Sequence, residues 1–297
     1  MFFIAWTVVD KETKHSWSFF INYLKDDLQL GTREGLIGLQ GVVAELLPNA
    51  EVRMCARHIW SNWSKIWKGE EKGKQFWRCS KATFEVKYNE EFYKMSKLGN
   101  ENINEDLLHY PRVSWVRAFF QEHSKCDAVE NNMSETFNYW ILSCRHKSII
   151  AMLEEIRGKL MTRTMDMVKF ADTWICDIAH MARLMLEENK EKSTACKVLW
   201  NADVGFEIGE AQYRHMVNLN NRVCSCRTWH LRGIPCQHAI FALYHIGQEP
   251  ESLVEHWYRK DTSLKAYSRL IQPILNIMMW SETNNPRIEP PEPKQNA

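Results

Sequence analysis

Cys224 and Cys226, separated by one residue, are followed nine residues later by Cys236 and then His238, so four metal-ligating side chains fall within fifteen residues. Three thiolates and one imidazole are soft and borderline donors, and four of them complete the tetrahedron that zinc prefers. A site whose four positions are all filled by protein is closed. It builds structure, whereas a catalytic zinc keeps one position open for water or substrate. The spacing constrains the backbone. Zn–S bonds of about 2.3 Å hold two thiolates roughly 3.8 Å apart. Residues two apart on a flat strand share a face but lie further apart than that. Cys224 and Cys226 must therefore sit where a strand ends or bends. Residues two apart on a helix point in nearly opposite directions, so Cys236 and His238 cannot both lie inside one helix. Pro235 places Cys236 just before a helix and His238 on its first turn. The alternative is four reduced residues that serve as core, since free Cys packs as a small hydrophobe. A disulfide between Cys224 and Cys226 would close a strained ring.

The elements that must hold these residues can be read on either side of them. Tyr213–Leu219 reads as a short strand, Asn220-Asn221 as a turn, and Val223 resumes an extended run. Ala239–Tyr244 continues the helix that His238 opens, and the whole module spans about 205–246. Upstream, residues 2–9 read as a buried strand, and a chain opening directly on such a strand looks truncated. A helix follows, with Ser16 as its N-cap and Trp17, Phe20, Leu24 and Leu28 at helical spacing. A second helical candidate runs from Leu36 to Leu47 and is ended by Pro48-Asn49, and residues 51–55 make a short strand. From His58 to about Lys97 the chain is helical, basic and rich in Trp, and a polar linker lies around Gly99–Asn102. Residues 105–190 read as all helical. There Phe137, Trp140, Ile141 and Cys144, and then Ile149, Met152, Leu153, Ile156, Leu160 and Met161, recur at the helical period and read as core. The tail from Asn284 is Pro-rich and reads as disordered.

Composition narrows the function classes. The chain has 297 residues, 45% of them hydrophobic, enough for a real core. Its net charge of +1 exerts no global pull toward nucleic acid or membrane. No run reaches eighteen apolar residues, so no membrane span is expected. Nine cysteines without a secretory framework point to free or metal-bound thiols in a reducing compartment. There is no phosphate-binding glycine loop and no internal repeat, and no small-molecule substrate is expected.

Cys224-x-Cys226-x9-Cys236-x-His238 resembles a SWIM-type zinc finger, a module associated with DNA binding or protein–protein contacts. Zn²⁺ would then be a structural cofactor. A wider set of motifs is similar to plant Mutator-like (MuDR) transposases. It comprises Ile4-Ala5-Trp6 with Val8-Val9, Ser16-Trp17 with Phe20 and Leu24, and Pro48-Asn49-Ala50-Glu51. After these come Arg53-Met54-Cys55-Ala56-Arg57-His58, Lys125-Cys126-Asp127, Asn131-Asn132-x-Ser134-Glu135-x-Phe137-Asn138, Met152–Arg157, the finger, and Tyr267-Ser268 through Pro273 and Trp280. The resemblance implies a nuclear, transposon-derived protein and an RNase H-like core with three carboxylates on two divalent ions. The implied fold class is α+β and predominantly helical: a truncated RNase H-like transposase core with a helical insertion, followed by a small SWIM zinc module. The corresponding segments are 1–56 for the partial core, 57–104 for the basic insertion, and 105–200 for the helical region. Residues 205–246 are the finger, 247–283 a C-terminal helical segment, and 284–297 the tail.

The carry-over of catalytic acids fails at two of three positions. The strand that would carry the first Asp would precede residue 1. Gly31–Leu36 runs almost straight into the helix that should follow the strand of the second. Glu135 alone remains, as a vestigial third acid. Asp26 and Asp27 read as a solvated helix face, and Glu34 as a loop residue. One carboxylate cannot hold two hard ions, so the chain is expected not to be an enzyme. The alternative is an active transposase or nuclease acting on terminal-inverted-repeat DNA. Cys55 and His58 form a further C-x2-H pair, half of a second metal site or a brace for the strand-to-helix join. Candidate DNA contacts are Arg222, Arg227 and Arg232 around the finger, with His230 beside them, and Lys65 and Lys68 on the basic stretch. There Trp60, Trp63, Trp67 and Trp77 either stack on bases or face inward as the apolar side of helices.

Overall fold

The computed structural model describes residues 13–27, 50–99, 102–202, 205–268, 270–275 and 277–281, with Val9 and Val43 as single positions. Apart from those two positions, the expected strand over 2–9, the helix over 36–47 and the Pro-rich tail lie outside the described residues. Helix α1 (Lys14–Asp27) begins before Ser16. Thr13, not Ser16, caps it: the Thr13 hydroxyl accepts the Ser16 amide at 3.1 Å and its carbonyl accepts the Trp17 amide at 3.0 Å.

Residues 51–55 form no strand. The Met54 amide bonds Ser114 O and the Ala56 amide bonds Val129 O, so the segment divides its bonds between two partners and no ladder forms. The basic stretch folds as α2 (Ala56–Trp63), α3 (Glu70–Lys81) and α4 (Glu85–Ser96). Gly69 opens α3 at φ 123°, a conformation that side-chain-bearing residues rarely adopt. Trp63 is buried with Phe76, Met95 and Trp115, and Trp60, Trp67 and Trp77 pack against that core. Phe76 stacks on Trp115 with ring centroids 5.3 Å apart. The tryptophans of this stretch thus form the interior of a helical unit, with lysines on its outside.

Further helices are α5 (Asn102–Leu108), α6 (Arg112–Trp115), α7 (Asn132–Trp140), α8 (Ile149–Asp172) and α9 (His180–Ser193). The expectation of continuous helix over 105–190 fails between 116 and 131, where one 3-10 turn at Arg117–Phe119 interrupts irregular chain. Arginine side chains hold this segment by its carbonyls. Arg117 donates to Asp127 O at 2.8 Å, Arg53 to Cys126 O at 2.5 Å, and Arg227 to Phe120 O at 2.6 Å. Backbone acceptors that a helix would satisfy with its own amides are satisfied here by arginine side chains.

The one sheet among the described residues is an antiparallel meander of β1 (Lys197–Ala202), β2 (Gly205–Glu210), β3 (Tyr213–Asn218) and β4 (Val223–Cys224). It belongs to the C-terminal module, and no RNase H-like sheet lies among the described residues. Phe206 pairs with Val217, Ile208 with His215, and Val217 in turn with Cys224. Directly paired residues share a face. Val217, His215 and Cys224 therefore point to one side, where α11 (Gln237–His245) packs over them. The short helix α10 (Thr228–Arg232) lies between β4 and α11, and α12 (Lys260–Tyr267) follows two 3-10 turns at Pro250–Leu253 and His256–Tyr258.

Candidate metal centre

The bend demanded by Cys224 and Cys226 is a tight turn at the end of β4. The Arg227 amide bonds Cys224 O at 2.8 Å, and Arg227 takes a left-handed conformation with φ 62°. The turn is pinned to β3, because the Ser225 amide bonds Met216 O at 2.9 Å and the Ser225 hydroxyl accepts the Met216 amide at 3.0 Å. On the other side, Cys236 is extended at the N-cap of α11 and His238 lies in its first turn. Asn189 of α9 donates to Pro235 O at 2.9 Å and fixes the chain that enters α11.

This geometry brings Cys224, Cys226, Cys236 and His238 together with all four ligand atoms within 4.8 Å of one another. None of the four is more than 3% exposed. His238 Nδ1 lies 3.6 Å from Cys224 Sγ and 3.9 Å from Cys236 Sγ. A tetrahedron with Zn–S of about 2.3 Å and Zn–N of about 2.05 Å has an S···N edge of roughly 3.6 Å. The donor set and its dimensions fit zinc. His238 Nε2 donates to Glu210 Oε2 at 2.9 Å, which fixes the tautomer that leaves Nδ1 free to ligate. Gln237 donates to both oxygens of the same carboxylate at 3.3 Å.

The electrostatics agree. Burial works against a charged His238, but Cys224, Cys226 and Glu210 outweigh it and hold the metal-free imidazole up to about 12. Hydrogen bonds from Cys224 and Cys236 hold Cys226 well below an ordinary thiol. Desolvation pushes Cys236 well above one. The thiols and the imidazole carry displaceable protons, and a cation bound by the set would replace them.

The other candidate residues are dispersed. Cys55 sits before α2, where its sulfur accepts the Asn131 amide at 3.3 Å. His58 is exposed, with Nε2 3.8 Å from Glu135 Oε1, and Arg57 is 3.9 Å from the same carboxylate. Neither Cys55 nor His58 belongs to a convergent ligand group among the described residues. Arg227 reaches across to the 116–131 segment, bonding Ala118 O, Phe120 O at 2.6 Å and Glu122 at 3.0 Å. Arg232 bonds Asp127 at 2.6 Å, and His230 lies 3.4 Å from Glu122. These three join the module to the helical unit. Arg222, Lys65 and Lys68 are exposed, and Lys65 bonds Asn62 at 3.0 Å. Sequence reasoning missed Glu210 and His215. Strand pairing, which carries them to the ligand face, leaves no local spacing signal.

Residues 200–247 match the family model of the SWIM zinc finger. The match covers the sheet from Trp200 onward and α11, and takes in all four converging ligands. Neither the curated proteins nor the solved structures give a match to this chain. No described helix is long and apolar enough to cross a membrane. The SWIM match and the Cys3His cluster together point to zinc binding.

Proposed function

We propose that this chain is a degenerate, transposon-derived protein of Mutator-like ancestry. It binds one structural zinc ion through Cys224, Cys226, Cys236 and His238 and contacts DNA or a protein partner through its SWIM finger in the nucleus. The observation that carries the zinc reading is the buried Cys3His cluster with Glu210 behind His238. Zinc, when bound, supplies a fixed cross-link between β4 and the start of α11. The ancestry rests on the order of sequence motifs. The chain is proposed not to cleave DNA, and the surroundings of Glu135 support this: its carboxylate faces Arg57 and His58. With Arg227 and Arg232 occupied inside the molecule, a DNA contact would draw on Arg222, Lys65 and Lys68.

Metal analysis of the purified full chain tests the reading. One zinc per chain is expected, and Cys236→Ser should lose it. Well-folded protein without zinc would sink the reading. A gel shift that weakens steeply with salt identifies DNA as partner, whereas a salt-insensitive null result leaves the protein-contact role. Nicking of terminal-inverted-repeat DNA with Mn²⁺ that vanishes in Glu135→Ala would overturn the non-catalytic assignment.

A further inference from the structure

Helix α8 ends at Asp172 and α9 begins at His180, and a pocket of about 280 Å³ lies where the two meet. The chain that links them is pinned to the segment before α12: the Ala179 amide bonds Tyr258 O at 2.8 Å, and the Lys260 amide bonds Asp177 O at 2.9 Å. Phe170, Ile175 and Ile178 give the walls an apolar part, and Trp174, His180 and Arg183 give them hydrogen-bond donors. Ile178 is buried, but Ile175 is 82% exposed. The Trp174 indole sits edge-on to Phe170 with ring centroids 6.4 Å apart, and its Nε1 is buried with no acceptor among the described residues. An indole N–H can only donate, and a buried donor left without a partner is costly. Arg183 donates to His180 Nδ1 at 3.4 Å and meets no carboxylate among the described residues. No acid lines the pocket, and the two nearest in sequence, Asp172 and Asp177, are turned to Lys260 at 3.7 Å and Arg259 at 3.2 Å.

We propose that this pocket binds an apolar carboxylate, the size of one aromatic ring or a branched aliphatic chain with its acid group. The carboxylate accepts from Arg183 and from the Trp174 indole, and the apolar part covers Ile175 and packs against Phe170 and Ile178. Donors that lack acceptors call for an anion, and the guanidinium fork matches a carboxylate with two parallel bonds. The apolar walls reward a ring or chain and give nothing to a fully hydrated ion. The volume lies just below the span of drug-sized sites, which selects a small ligand. The start of α9 adds to the field, because its N-cap Ala179 offers no side-chain acceptor and its first turn holds no acid. A free acid and the last residue of a peptide chain both carry this chemistry. None of the walls belongs to the Cys3His set, so the site does not depend on zinc being held there.

Ligand-observed NMR titration of the full chain with 3-phenylpropionate and with its neutral counterpart 3-phenylpropanamide tests the site. The acid should bind with a dissociation constant on the order of 0.1–1 mM, the range open to so small a ligand. The amide should bind at least roughly tenfold more weakly, because it cannot form the charge-assisted pair. Arg183→Gln should weaken the acid about tenfold and leave the amide unchanged. Trp174→Phe keeps a ring in the wall and removes the N–H, and should weaken the acid about three- to tenfold. Equal binding of acid and amide overturns the proposal without recourse to any variant, as does an absence of binding up to about 5 mM acid. So does an Arg183→Gln chain that binds the acid within about twofold of the parent. N-acetyl-phenylalanine then separates the two sources. Tighter binding than 3-phenylpropionate assigns the site to a peptide chain end, and equal or weaker binding assigns it to a free acid.

Discussion

Glu210 supports the metal without touching it. Its carboxylate accepts from His238 Nε2 at 2.9 Å, and that bond orients the ring and raises the basicity of Nδ1. Glu210→Gln keeps the shape and loses the charge. Its zinc affinity, measured by competition with a chromogenic chelator, should fall about 10–100-fold while stoichiometry stays at one. Unchanged affinity would show that Glu210 is incidental. Gly233 is a second residue on which the module's packing depends. Its φ of 74° is left-handed, and a Cβ there would lie 2.7 Å from Glu255 Cγ. Gly233→Ala should therefore cost about 1–3 kcal/mol in urea denaturation, more than a surface alanine. The four ligands were legible because their chemistry lies in a fixed local spacing. Glu210 and His215 were not, because each meets His238 of α11 only once the β2–β3 hairpin packs against that helix.

The α3–α4 pair is closed by a buried charge. Glu91 is 3% exposed, accepts from Gln75 at 2.8 Å, and meets Lys87 at 3.0 Å and Lys94 at 2.9 Å. Desolvation raises its pKa, but Gln75, Lys94 and Lys87 outweigh that and bring it down to about 2. A folded-state pKa below the unfolded value of about 4.3 means that the unfolded chain takes up the proton first. The stabilisation is present above pH ~4.3 and disappears as the pH falls toward ~2, on the order of 2–3 kcal/mol. Far-UV circular dichroism of urea melts between pH 5 and 2.5 (roughly the span bracketing those values) should show this loss, and Glu91→Gln should flatten it. If the variant keeps the full slope, other carboxylates carry it. Elements were readable where period and punctuation agreed, as in α8 and β3, whereas α3 and α4 were read only as parts of one helical stretch. They were misread where long-range bonds decide. Residues 51–55 carry a strand-like pattern, but their amides go to Ser114 and Val129. Over 116–131, Arg117 within the segment and Arg53 and Arg227 from outside it bond the carbonyls of Asp127, Cys126 and Phe120, contacts that no local period encodes.

At the scale of the molecule, Arg227 is among several ties between the finger and the helical unit, beside Arg232 and the Tyr213–Glu90 bond. Arg227 lies directly after Cys226, and its left-handed backbone both closes the Cys224 turn and aims its side chain into the 116–131 segment. Leu231 of α10 is buried in the helical unit's own core, and Phe84 packs edge-on against Tyr213 and His215. Zinc bound at the four ligands would fix the turn, and the turn carries the arginine that bonds the segment. Metal loss should therefore be felt well beyond the ligands. Arg227→Ala removes hydrogen bonds from a charged donor to Phe120 O, Ala118 O and Glu122, and should cost about 2–3 kcal/mol with zinc content unchanged. Chelating the zinc should go further. In hydrogen exchange, amides over 116–131 should lose protection together with the finger, while α8, packed in a separate cluster with α7, keeps its own. If 116–131 stays protected after zinc removal, the helical unit holds that segment without help from the finger. The metal would then be a local staple, and the arginines would anchor an already rigid partner.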